Sequence, residues 1–167
     1  MARYVVGVRL KLRYEIDLTR SVRTVPSDGH TVRSVTSGDL SGLAKLMLDA
    51  YAGTIDSDDE DLDDAVAEVR SYMDSDHPLL ERSYLVESNG DIISAVLVSL
   101  PENTPFIEYV MTAADHKNHG LGRLVTTRSL DALTQDGHQK VVFYITKGNL
   151  PSEALFRDLG AVPEAAE

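Results

Sequence analysis

The chain has 167 residues, a net charge of −11 and no cysteine, and 43% of its residues are apolar. This describes one globular domain with a real core. It excludes disulfides and thiolate metal sites, and it argues against nucleic acid as a partner, because phosphate backbones need basic surface. No apolar run approaches the roughly 20 residues of a membrane span, and Arg9, Lys11 and Arg13 break up any leader-like segment. A cytoplasmic protein with no membrane contact is the expectation.

Residues 2–14 alternate, with Tyr4, Val6, Val8, Leu10 and Leu12 on one face and basic residues largely on the other, which predicts a half-buried strand. Asp17 to Asp28 has no periodicity and reads as a connector. The first 29 residues carry six basic and three acidic side chains, whereas the rest carry ten and twenty-four. The expected organisation is therefore an extension over 1–29 and a main body over 30–167 within one globular unit.

Thr31 to Val35 predicts a second strand. Ser37 or Asp39 can cap a helix whose stripe is Leu40, Leu43, Leu46, Met47, Ala50 and Tyr51. The acidic run Asp56 to Asp64 then favours the start of another helix, with Leu62, Val66, Val69 and Met73 as its apolar stripe. The same carboxylates could also draw in a basic substrate. Ser83–Glu87 and Ile92–Leu100 form a hairpin around Asn89-Gly90. Pro101 to Pro105 turns the chain into a strand over Phe106–Thr112.

After that strand come a short polar loop, Gly120, Gly122 and a helical pattern beginning at Leu121. A helix start leaves backbone N–H groups without partners and carries partial positive charge. Glycine lets that backbone approach an anion closely, so this turn suits a phosphate. Lys117, His119 and Arg123 add cationic or donor side chains. Val141 to Ile145 follows as a buried strand, and a last helix spans the region from Asn149 to Gly160. His116 and His119 lack the supporting ligands of a metal site, and His30, His77 and His138 are scattered, so no metal is expected.

Lys117-Asn118-His119-Gly120-Leu121-Gly122 resembles the Q/R-x-x-G-x-G/A signature of the GNAT N-acetyltransferase superfamily, with lysine at the first position. A second match runs from Asn149 through Ser152 and Phe156 to Leu159-Gly160. The resemblance implies an α/β fold, a mixed central sheet with helices on both faces. It starts near Thr31, so the leading strand lies outside it, and the chain stops soon after Leu159-Gly160, where family members add strands. The N-terminal strand is expected to fill that vacant sheet position, in its own subunit or in a partner's.

The same resemblance implies acetyl-CoA as cosubstrate, with its pyrophosphate on Lys117, Asn118, His119, Gly120, Leu121, Gly122 and Arg123. Backbone N–H groups at Val110, Met111 and Thr112 would stabilise the thioester carbonyl, and Asn149, Ser152 and Phe156 would line the pantetheine arm. Glu108 is the candidate general base. Strand parity places it on one face with Val110 and Thr112, where desolvation would make its carboxylate more basic. The alternative is that Glu108 faces solvent or pairs with an arginine. Phe156 stands where many members have a proton-donating tyrosine, which leaves Ser152 and Tyr144 as substitutes. The acceptor implied is a primary amine on a small molecule or peptide, bound by the loop around Tyr51 to Asp58 and by the hairpin region. A non-catalytic acyl-CoA-binding module of the same fold is the alternative, and a homodimer is compatible with either.

Overall fold

A computed structural model describes residues 9–20 and 23–164. Seven strands form one mixed sheet: β1 (Lys11–Asp17), β2 (Thr31–Ser34), β3 (Tyr84–Ser88), β4 (Asp91–Ser99), β5 (Phe106–Thr112), β6 (Lys140–Thr146) and β7 (Val162–Pro163). Their spatial order is β2-β3-β4-β5-β6-β1-β7. Helices α1 (Leu40–Tyr51) and α2 (Leu62–Met73) cover one face, and α3 (Leu121–Gln135) and α4 (Leu150–Asp158) cover the other.

β4 is central, so both of its faces are buried. Ala95 and Leu97 pack with Leu43, Val69 and Met111 beneath α1 and α2. Val96 and Val98 pack with Leu124, Leu133 and Phe143 beneath α3. A strand covered on both sides reads as a near-continuous apolar run, and Ile92–Val98 does, interrupted by Ser94. The hairpin turn also forms as expected, with Asn89 and Gly90 at φ of 52° and 82°, the left-handed pair that a tight hairpin requires.

The N-terminal strand fills the sheet position beside β6, within its own subunit. β1 pairs antiparallel with β6 from Lys11↔Thr146 to Asp17↔Lys140. It begins and ends later than the alternation suggested, and residues 1–8 lie outside those described. The predicted parity holds, but burial falls at Tyr14 and Ile16, with Leu10 58% and Leu12 38% exposed. The C-terminal residues also contribute: β7 pairs with β1 at Tyr14↔Pro163 and Glu15↔Val162. In α2 the buried stripe is Ala65, Val69 and Tyr72, with Leu62 exposed. The tyrosine draws that face round by one position.

Tyr72 shows why. Its buried hydroxyl donates to Val98 O at 2.6 Å and lies 3.0 Å from Ser83 Oγ. Ser83 Oγ in turn accepts from Val98 N at 2.8 Å. These side chains satisfy the β4 backbone where its pairing with β3 ends. Burial pushes the Tyr72 phenol up to about 12. The unfolded chain therefore releases this proton first, near the ordinary tyrosine value of about 10. It binds fewer protons than the native state between those values, so stability falls as pH rises through that window and is unaffected below it. We expect the urea midpoint to hold until about pH 9.5 and then decline, by roughly 2–3 kcal/mol for this group. Tyr72→Phe should cost about 1 kcal/mol at pH 7 by removing one of the two donors to Val98 O, which keeps the Leu79 N–H at 2.9 Å, and should flatten the alkaline decline. An unchanged alkaline slope in the variant would show that Tyr72 does not contribute.

No helix among the described residues is long and apolar enough to cross a membrane.

Candidate active site

β5 and β6 are parallel neighbours that pair only at Phe106↔Val142 and Ile107↔Phe143. Beyond those residues the strands part. Ala113 N donates to Ile93 O at 2.8 Å on the β4 side, and hydrogen-bonding direction alternates along an antiparallel ladder. Met111 therefore pairs toward β4, whereas the Val110 and Thr112 amides face the gap left by β6. The Met111 side chain is buried beneath α1.

Glu108 does not share a face with Val110 and Thr112. The β4–β5 register shifts between Leu97↔Tyr109 and Val98↔Ile107, which makes Glu108 the extra residue of a β-bulge. A bulge re-aims the side chain that it carries. Ile107 and Val110 now pack toward α3, Tyr109 toward α1, and Glu108 projects into a cavity on the α1–α2 side. Its side chain is exposed. No arginine pairs with it among the described residues; Ser99 Oγ donates to Glu108 Oε1 at 2.7 Å.

The cavity measures about 990 Å³ and runs from the strand gap to the loop between α1 and α2. Val110, Tyr144, Asn149, Ser152 and Phe156 line it, together with Tyr51, Asp58, Asp64, Glu68 and Tyr109. Residues of the loop after Tyr51 line this cavity. The hairpin residues do not line it, and the first turns of α2 with Arg9 and Lys11 stand there instead.

Phe156 is 5% exposed and stacks on Phe143 with ring centroids 4.2 Å apart. It holds α4 against the sheet and has no proton to give. Tyr144 is 50% exposed and tilts against Phe106, so its hydroxyl can reach into the cavity. Ser152 also lines the cavity, but its backbone N–H is taken by the Asn149 cap.

Both ends of the Asn149 side chain are used. Its Oδ1 accepts from Ser152 N at 3.3 Å, capping α4, and its Nδ2 donates to Asp56 Oδ2 at 2.8 Å. Thr146 Oγ1 donates to the other Asp56 oxygen at 2.6 Å. Asp56 thereby ties the α1–α2 loop across the cavity to the end of β6. Arg9 reinforces the loop, pairing with Asp58 at 2.6 Å and donating to Ser57 O. Sequence reasoning missed this strap, because Asp56 looks like any other carboxylate in an acidic run. It also missed the Tyr109 hydroxyl donating to Glu68; that pair joins elements far apart in the chain. Burial first, and then Glu68, pushes the Tyr109 phenol well above the usual tyrosine range.

The glycine turn lies just beyond the gap. Asn118 and Gly120 adopt φ of 65° and 78°, the left-handed conformation that swings the chain into α3. The first helical bond is Leu124 N to Gly120 O, so the amides of Leu121, Gly122 and Arg123 have no intrahelical partner. A Cβ on Gly122 would lie 3.7 Å from atoms of Val110, Thr112 and Leu155. The turn, the end of β5 and α4 therefore converge there. The unpartnered amides, the bare Gly122 and exposed His119 fit a phosphate. The two longer cations are engaged elsewhere: Lys117 Nζ donates to Ala50 O at 2.8 Å, and Arg123 pairs with Asp158 at 2.8 Å. Among the described residues, no group of three His, Cys, Asp or Glu could hold a metal.

Comparison with known proteins places the fold. No curated protein sequence matches the chain. A GCN5-related N-acetyltransferase from Sphaerobacter thermophilus superposes with a TM-score of 0.71 at 15% identity, over 94% of this chain and 49% of that one. The chain thus spans about half of that protein. The ribosomal-protein-S18-alanine N-acetyltransferase of Escherichia coli superposes with a TM-score of 0.64 at 16% identity, over 83% of this chain and 97% of its own. The aminoglycoside N-acetyltransferase AAC(6')-Iy in complex with CoA gives 0.63 at 15% identity, over 83% and 91%. At such identities the likeness is one of fold. The model of the acetyltransferase (GNAT) family matches residues 42–161, a span that takes in most of α1, the bulged strand, the glycine turn and α4, and the chain belongs to that family.

Proposed function

We propose that this chain transfers the acetyl group of acetyl-CoA directly to a primary amine. The observation that carries the reading is the parting of β5 and β6 beyond Ile107 and Phe143, with the Val110 amide facing the gap. The gap connects two ends of different chemistry. At one end the free amides of α3 and Gly122 suit the pyrophosphate. At the other, Glu108 faces the cavity with an oxygen held by Ser99.

Bound acetyl-CoA supplies an activated thioester carbonyl. The Val110 N–H, fixed by the bulge, is positioned to hold the charge that develops on the carbonyl oxygen. Glu108, directly or through water, removes the proton from the attacking amine. Tyr144 or Ser152 protonates the departing thiolate, in place of the tyrosine that Phe156 replaces. The last role is the least demanding, since a CoA thiolate is a competent leaving group.

The test is thermal unfolding with acetyl-CoA, followed by thiol release with a panel of amines. At about a hundred times its dissociation constant the ligand should add roughly 2.7 kcal/mol, or about 5–10 °C. With no cysteine in the chain, the thiol reagent meets no protein background. No shift would remove the assignment of acetyl-CoA. Phe156 favours one other reading, a binding module that no longer turns over; a shift without thiol release on any amine would establish it.

A further inference from the structure

The added N-terminal strand brings a lysine to the cavity. Of the five lysines, all of them among the described residues, Lys11 alone lines it. Lys11 pairs with Thr146 across the β1–β6 ladder, and residues directly opposite in an antiparallel pair put their side chains on one face. Thr146 Oγ1 reaches Asp56 on the cavity side, so Lys11 points to that side as well. Its neighbours on the same face are engaged, Arg9 with Asp58 and Arg13 with Glu164, whereas Lys11 has no ion pair among the described residues. The plainer role is electrostatic support of Asp58, whose carboxyl is held below its usual range by Arg9 first and by Lys11 after it. Arg9 already makes that contact.

Strand register sets the distance from Lys11 to the strand gap. β5 and β6 last pair at Ile107↔Phe143. Counting three residues on along both strands brings Val110 level with Thr146, or one residue short of it because of the bulge at Glu108. Lys11, Thr146 and the Val110 amide thus stand close to one row across the sheet. Lys11 is one strand removed from the gap, about 4.8 Å. Five bonds of about 1.5 Å join its Cα to Nζ, and the flexible stem reaches about 6 Å. The amine can therefore enter the gap beside Val110, in the cavity that Glu108 also lines. The other lysines have no such path: Lys117 donates to Ala50 O, Lys140 pairs with Glu15, and neither these nor Lys45 and Lys147 line the cavity.

We propose that Lys11 is a self-acetylation site: bound acetyl-CoA transfers its acetyl group to the Lys11 side-chain nitrogen of the same molecule. This rests on the acetyl-transfer reading and adds to it an acceptor carried by the chain itself. The nitrogen lone pair forms a C–N bond to the thioester carbonyl carbon, and the C–S bond breaks. The proton lost from nitrogen ends on the sulfur, so the products are an amide and the CoA thiol. Glu108 removes that proton as it does from an external amine.

The test is the whole chain with acetyl-CoA and no added amine, followed by thiol release and by peptide mass spectrometry of every lysine. Lys11 should be acetylated at least about tenfold faster than Lys45, Lys117, Lys140 or Lys147, because its amine and the thioester are held together. Those four lysines give the chemical background. The rate constant at Lys11 should not change with protein concentration, and the preference should vanish in urea. Lys11→Arg should abolish the amine-free burst of thiol, and Glu108→Gln should slow Lys11 acetylation by about the factor it imposes on external amines. Equal rates at all the lysines, a preference that survives in urea, or a rate that rises with protein concentration would overturn the proposal. Turnover of external amines with Lys11 unmodified would overturn it and leave acetyl transfer standing. Fast acetylation of Lys11 with no external amine turned over would support it and make the chain its own acceptor. No acetyl-CoA thermal shift, with Lys11 at the background rate, would overturn this proposal and the acetyl-transfer reading together.

Discussion

Phe143→Ala is expected to destabilise the protein by about 3–5 kcal/mol, the usual cost of deleting a buried phenylalanine. The ring is 1% exposed and lies between Tyr14 of β1, at 6.1 Å, and Phe156 of α4, at 4.2 Å. It sits at Ile107↔Phe143, the last point at which β5 and β6 pair. Its removal thus loosens the added strand, the last helix and the apex of the strand gap together. Urea unfolding should show the loss, and Phe143→Leu, which keeps most of the volume, should recover much of it. A loss below about 1 kcal/mol would mean that β1 and α4 are held by something other than this stack. The acetyl-CoA-dependent thermal shift should shrink in the alanine variant, because the gap loses its apex.

Glu108→Gln should lower kcat by about 10²- to 10⁴-fold, the contribution of a positioned general base. The amide keeps the size of the side chain and its contact with Ser99, so folding and the acetyl-CoA thermal shift should stay as they are. Because the lost interaction is made as the proton leaves, kcat and kcat/KM should fall together. A kcat within a few-fold of the parent would assign proton removal to another group. Tyr109 beside Glu68 would then be the next candidate, although its phenol is held strongly protonated.

The stacking of Phe156 on Phe143 also explains a departure from the family pattern. A tyrosine at that position would put a hydroxyl into the cleft; here the phenyl ring is spent on holding α4. The exposed Tyr144 on the neighbouring strand is the natural place for a donor to reappear.

Much of the architecture was legible in local pattern. Ser83–Glu87 and Ile92–Leu100 showed a hairpin around the tight turn Asn89-Gly90, and the glycines before Leu121 a helix entry, because each depends on residues within a few positions of one another. The two motifs around Gly120 and Asn149 carried the family. The spare strand at one end and the missing strand at the other even implied where the leading strand belongs.

Tertiary structure decided the rest, for one physical reason: the deciding contacts join residues that no local pattern links. The bulge at Glu108 arises from pairing with β4, and it turned the side chain away from the face that alternation assigned. The α2 stripe settled on Ala65, Val69 and Tyr72 because the tyrosine hydroxyl had to reach Val98 O, across the sheet. Asp56 became a strap through Thr146 and Asn149, about ninety residues away. The acidic run, ambiguous as sequence, came to line one cavity with Tyr51 and Glu108 only when the chain closed around it. Sequence alone determined the family and the order of elements; which side chains line the cavity was set by long-range pairing.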